Sequence, residues 1–258
     1  MNRFYSVFWA CVGFCASTAC SRGAELAIEN IRVESEAGIK SNVANVDTVK
    51  ITKDFLMGKF EYRGHADFER VPSSMSSKEI YIQKVVLSSF VKMREAATKE
   101  GISLTILSGT RNFKEQKSIW ERKWELESEK GRGSKEIAAK ILTYSSMPAT
   151  SRHHWGTDID INSLEPVYFA SGKGLKEYNW LKTNGPRFGF YQVYTTKKNG
   201  RTGYSEESWH WSYLPLAKEY LKQYNAKVTL SDIQGFKGNE AAVLLDVIVK
   251  YVNGIEKY

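Results

Sequence analysis

The stretch SRHHWGTDID, from Ser151 to Asp160, decides how this chain is read. It puts two adjacent histidines, a glycine and two alternating aspartates into ten residues of a protein that has four histidines in all. From Thr157 the order becomes regular: Thr157, Ile159 and Ile161 alternate with Asp158, Asp160 and Asn162. A period of two sends the branched side chains to one face of a strand and the carboxylates to the other. The strand starts at or after Gly156, which leaves His153 and His154 on the loop that leads into it.

On the N-terminal side, Ser76 and Glu79 have capping-box spacing ahead of Ile82, Val85, Val86, Phe90, Met93 and Ala97, an apolar stripe that stops at Gly101. This predicts an amphipathic helix. SLTILSGTR then reads as a short strand, with Arg111 just past its end, followed by a helix from Phe113 to Glu129 and another from about Ser134 to Tyr144. On the C-terminal side, GLKEYNWLKTNG reads as a helix, RFGFYQVY as a strand, and SWHWSY as a strand with Ser208, His210 and Ser212 on one face. Helical patterns follow at Leu216 to Tyr224 and Asn239 to Val252. Strands and helices mixed without a repeating βα unit predict an α+β domain on a largely antiparallel sheet flanked by helices.

The 258 residues carry a formal charge of +8, which favours anionic partners. No run of Lys and Arg is interleaved with aromatics as a nucleic-acid surface requires, so an acidic wall polymer or lipid is preferred and no nucleic-acid partner is expected. Cys11, Cys15 and Cys20 all fall within the first twenty residues, which have one arginine, an apolar run and a small-residue end. That is the layout of an export signal over 1–20. Ser17, Thr18 and Ala19 before Cys20 also resemble a bacterial lipobox, although the usual leucine three places ahead of the cysteine is Ser17 here. Membrane attachment through a lipidated Cys20 is thus one expectation, in the periplasm or cell envelope. Residues 21–46 read as a polar tether, and 47–258 as the folded domain with a C-terminal helical extension.

An exported domain without thiols has only imidazoles and carboxylates to offer a metal. A catalytic zinc commonly takes three protein ligands and leaves a fourth position open. His153, Asp160 and His210 are the candidates. Paired histidines alone are more often structural, but His210 faces away from Trp209 and Trp211, where a core histidine would sit among apolar neighbours. The two tryptophans are read as core. Glu207, three residues before His210, can stand beside the same ion only if a turn precedes the strand, because strict alternation groups it with the tryptophans.

SRHHWGTDID resembles the S-x-H-x-x-G-x-x-x-D pattern of zinc D-alanyl-D-alanine carboxypeptidases of the VanY type, and ESWHWSY resembles their E-x-W-H pattern. SGTR with Gln116 is similar to their S-G-x-R segment. These enzymes share a fold with VanX dipeptidases and the Hedgehog signalling domain, and the likeness spans about Asp47 to Tyr224. It implies that His153, Asp160 and His210 bind Zn2+, that Glu207 is the general base, and that Arg111 grips the terminal carboxylate of a peptidoglycan stem peptide. Ser151 and Gln116 are further substrate-binding expectations.

One departure is Asp158, where the family commonly has Ala. Two carboxylates and two histidines would close the site to water, so Asp158 is expected to orient a ligand histidine. His154 has no counterpart as a ligand and is expected at the surface or behind the site; His65 is read as structural. The activity implied is removal of a C-terminal D-amino acid, D-alanine first. The alternatives are an L,D-carboxypeptidase or endopeptidase of the same fold, and a non-catalytic zinc-stabilised wall-binding module. The presence of both Glu207 and Arg111 counts against the last, since holding a metal requires neither.

Overall fold

The structure is a computed structural model that describes residues 51–258, all within one unit spanning Asp47–Tyr258. The export signal and tether expected over 1–20 and 21–46 lie outside the described residues. Thr52 accepts the amide of Phe55 and so caps the short helix α1 (Lys53–Leu56). β1 (Phe68–Arg70) pairs antiparallel with β2 (Tyr81–Gln83), and the chain turns at once into α2 (Lys84–Lys99). The capping box expected at Ser76 and Glu79 is not used. Ile82 is in a strand opposite Glu69, Gln83 is the N-cap, and the Ser76 hydroxyl accepts the Lys78 amide in a local turn. Ladder pairing with β1 takes residues that helical spacing had assigned to the first turn.

β3 (Ile106–Ser108) leads through Arg111 to α3 (Phe113–Ser128), whose start carries a reciprocal Asn112–Glu115 capping box. α4 (Ser134–Ile141) follows, then one turn of 3-10 helix over Arg152–Trp155 and β4 (Asp158–Ile161). Gly156 ends that turn at φ +69°, and a Cβ there would lie 2.4 Å from Phe68, so this position needs glycine on two counts. α5 (Gly172–Asn184), β5 (Phe190–Tyr191), β6 (His210–Tyr213) and α6 (Leu214–Lys227) complete the frame. The helix expected over Asn239 to Val252 is broken. It forms α7 (Ala241–Leu244) and a π-helical turn over Ile248–Val252, separated by Asp246 at φ +49°, a conformation that stops an α-helix.

The four-stranded sheet has the order β3-β4-β6-β5 and every pairing is antiparallel. With helices packed around it, this is the expected α+β architecture. Ile159 and Ile161 join Trp211, Tyr213, Phe90 of α2 and Leu181 of α5 in one buried cluster. A second cluster joins Trp120 and Trp124 of α3, Ile141 of α4, Tyr204, Leu214 and Phe236. The first confirms one face of the period-two reading. The other face of β4 and β6 is buried too, and it is polar. No helix among the described residues is long and apolar enough to cross a membrane.

Candidate metal centre

Strand register builds the centre. Asp160 lies opposite His210 across β4 and β6, and opposite Ser108 across β4 and β3. His153 arrives from the 3-10 turn just before β4. One donor atom from each of His153, Asp160 and His210 lies within 4.8 Å of the others, and all three residues are buried.

Hydrogen bonding decides which imidazole nitrogens are available. His153 Nδ1 lies 2.8 Å from the Gly109 carbonyl, which can only accept, so Nδ1 holds the proton and Nε2 presents its lone pair 3.5 Å from Asp160 Oδ1. His210 Nε2 lies 2.8 Å from Asp158 Oδ2, leaving Nδ1 directed 3.2 Å from the same Asp160 oxygen. Two imidazole nitrogens and a carboxylate oxygen thus converge where only a positive charge relieves their mutual repulsion. Burial alone would push His210 down, but its bonds to Asp158 and Asp160 outweigh this and raise it to about 9. Asp160 is held well below the ordinary carboxylate range: burial opposes this, and the two histidines overcome it. The donor set, two imidazoles and one carboxylate with thiols absent, fits Zn2+.

Asp158 is in the orienting position expected of it. Its Oδ2 accepts from Arg152 Nε at 2.8 Å as well as from His210, and its Oδ1 accepts from the hydroxyls of Thr157 and Ser212, each at 2.8 Å. Arg152 is 1% exposed and also donates to Ser212 Oγ at 2.6 Å. This buried ion pair lets a carboxylate sit behind His210 without adding net charge to the interior. Sequence reasoning passed over Arg152, although it stands beside His153; Ser212 was legible as a neighbour of His210 on one strand face.

The turn that Glu207 requires is present. β6 begins only at His210, and the His210 amide bonds back to the Glu207 carbonyl at 3.3 Å. Glu207 Oε2 consequently comes to 3.7 Å from His210 Nδ1. The residue is 5% exposed, and burial, reinforced by Asp160, pushes its carboxyl up to about 8 against the pull of His210 and Arg111. Tyr194 packs against the His210 ring with centroids 4.6 Å apart.

These groups open onto a cleft of about 630 Å³ lined by His153, Asp160, His210, Glu207, Arg111 and Tyr204, among others. Arg111 is half-buried. Its Nη1 donates to Ser108 Oγ at 3.2 Å, while its buried Nε has no partner. Gln116 and Ser151 are not among the cleft-lining residues. Gln116 is buried and spends its amide on the Ser146 carbonyl at 2.7 Å, which makes it a brace between α3 and the loop after α4. Ser151 is buried with its hydroxyl unpartnered. His154 is fully buried, not at the surface: the Ala149 amide donates to its Nε2 at 3.1 Å and its Nδ1 donates to the Arg111 carbonyl at 2.7 Å. His65 is half-buried against Phe60 and Phe68, away from the centre.

The VanY family model, described as D-alanyl-D-alanine carboxypeptidase, matches residues 79–216, more than half of the chain. A D-alanyl-D-alanine carboxypeptidase of Enterococcus faecalis is 33% identical over 122 residues, covering 47% of this chain and 44% of that protein. Among solved structures, VanYB in complex with D-alanine-D-alanine is similar at 27% identity and a TM-score of 0.49, over 65% of this chain and 87% of its own. A zinc-bound variant of the vancomycin-resistance D,D-pentapeptidase VanY is similar at 27% identity and a TM-score of 0.48, over 70% of this chain and 90% of its own. A buried His-Asp-His donor set on an antiparallel sheet defines an α+β domain built to hold a metal ion. The chain belongs to the VanY family.

Proposed function

We propose that this protein is a zinc-dependent carboxypeptidase that removes the C-terminal D-amino acid, D-alanine first, from peptidoglycan stem peptides in the cell envelope. The observation that carries the reading is the placement of the buried Glu207 carboxylate 3.7 Å from His210 Nδ1, in the same cleft as Arg111. A structural metal site has no use for either group.

In this reading His153 Nε2, an Asp160 oxygen and His210 Nδ1 hold the ion. Zinc held there would supply Lewis acidity toward a water and a peptide carbonyl. The residues do the rest. Arg111 offers a planar, always-charged fork to the substrate's terminal carboxylate, which restricts cleavage to a chain end. Glu207 Oε2 accepts the proton of the attacking water and returns it to the departing amine. The Gly109 carbonyl and Asp158 fix the two imidazoles in the required tautomers. Attachment through a lipidated Cys20 belongs to the same proposal, and mass spectrometry of the mature N-terminus tests it.

The direct test is incubation of zinc-loaded protein with a pentapeptide stem ending in D-Ala-D-Ala and with the corresponding tetrapeptide. Release of D-alanine from the pentapeptide supports the proposal. Release from the tetrapeptide alone identifies an L,D-carboxypeptidase, and no release from either, with metal bound, overturns the enzymatic reading.

A further inference from the structure

The cleft holds more positive charge than one terminal carboxylate can use. Lys78, Arg111, Arg122, Lys123 and Arg152 line it, against Asp160, Glu165 and Glu207. Arg152 is neutralised by Asp158. Arg122 and Lys123 come from the face of α3 that also presents Ile119 to the cleft, at the three- and four-residue spacing of a single helix face. Neither makes an ion pair among the described residues.

Every carboxylate on α3 is committed elsewhere. Glu115 binds Arg63 at 3.2 Å, Glu121 lies 3.8 Å from Lys117, Glu125 binds Lys237, and Glu127 binds Lys130 at 2.6 Å and also Arg132. The helix thus pairs its acids away from the cleft and leaves two cations facing into it. Lys123 is half-buried, and burial together with the neighbouring Arg111 and Arg122 pushes its ammonium down. An arrangement that crowds like charges is unfavourable until an anion enters.

We propose that Arg122 and Lys123 form a second carboxylate subsite, which selects stem peptides carrying a free side-chain carboxylate on a residue upstream of the scissile bond. The inference rests on the carboxypeptidase reading, in which Arg111 takes the terminal carboxylate.

Two pentapeptides ending in D-Ala-D-Ala test it, identical except that the side-chain carboxylate of a meso-diaminopimelate third residue is free in one and amidated in the other. Calorimetric binding to zinc-loaded Glu207→Gln protein reads the subsite, and turnover by the wild type reads the reaction. The free carboxylate is expected to bind about tenfold more tightly, the scale of a charge-assisted hydrogen bond. Arg122→Gln with Lys123→Gln should cut that preference to about twofold or less. Lys114→Gln, which removes a cation of α3 that does not line the cleft, should leave it in place. Equal binding of the two peptides, or equal loss of preference with Lys114→Gln, overturns the subsite and leaves only general attraction. Preference without turnover of either peptide keeps the subsite and refutes the carboxypeptidase reading instead.

Discussion

His154 Nδ1 donates to the carbonyl of Arg111 at 2.7 Å, while the amide of Arg111 donates to the carbonyl of His153 at 3.2 Å. The two histidines therefore hold both backbone polar groups of one residue, and the arginine proposed to grip substrate is fixed to the residue proposed to grip metal. Burial pushes His154 down to about 3, so it remains a neutral donor at any physiological pH. His154→Ala is expected to raise KM for stem peptides about five- to tenfold, the value of one buried hydrogen bond, with a smaller effect on kcat. His154→Asn, whose amide can occupy the Nδ1 position, should recover most of the loss. Steady-state kinetics on the three proteins checks both.

Asp158→Asn separates charge from shape. The amide can turn its NH2 toward Ser212 and Thr157 and keep its oxygen on Arg152 and His210, so the bonds survive and the negative charge does not. Loss of a group that orients a metal-binding histidine typically weakens binding about 10- to 100-fold. Competition with a chromophoric chelator should show a fall in zinc affinity within that range, larger than for Thr157→Ala.

Glu207→Gln keeps the volume of the side chain and removes its proton affinity. Turnover should fall about 10²- to 10⁴-fold, the usual share of a general base, with one zinc still bound per chain. Loss of metal together with activity would instead make Glu207 a ligand.

Gly58 tests the support beneath the histidine pair. It sits at φ +72°, and a Cβ on it would lie 2.3 Å from His154 Nδ1. Gly58→Ala should cost about 2 kcal/mol or more, from left-handed backbone strain plus overpacking. It should also raise KM in the direction of His154→Ala. Thermal unfolding and kinetics measure the two effects separately.

Asp232 gives the fold an acid-sensitive link. Hydrogen bonds from Lys53 and from the Thr229 amide hold its carboxyl down to about 2. A depressed carboxylate contributes stability above its unfolded-state range and loses it as pH falls through the folded value. The pair is partly exposed, so Asp232→Asn should cost about 0.5–1 kcal/mol at neutral pH and nothing below about pH 2. Urea melts at the two pH values, compared with wild type, decide it.

The metal-donor face was legible because it lies on a strand: from Asp158 to Asn162 the period of two separates isoleucines from carboxylates, and the pairing with His210 follows once β4 and β6 are adjacent. Glu207 was legible only conditionally, since its place depends on a bend that no residue preference encodes. The N-terminus of α2 was misread because Ile82 suits a strand and a helix equally well until β1 is present to pair with it. Arg152 and the α3 cations could not be placed from spacing, and His154 only as far as the surface or a position behind the site. Their roles depend on the Arg111 carbonyl, on Asp158 and on which helix face meets the cleft, and each is a matter of tertiary approach.

Arg201 is 8% exposed and spends its guanidinium on four carbonyls, those of Thr195, Thr202, Tyr204 and Gly254. Gly203 approaches the same tail so closely that a Cβ would stand 2.4 Å from the Lys250 carbonyl. The tail around Lys250 and Gly254, beyond the family-matched span, thereby anchors the loop that delivers Glu207. Arg201→Met would cut those four ties while leaving His153, Asp160 and His210 untouched, so it is expected to loosen the carboxylate proposed as base and to lower turnover more than zinc affinity.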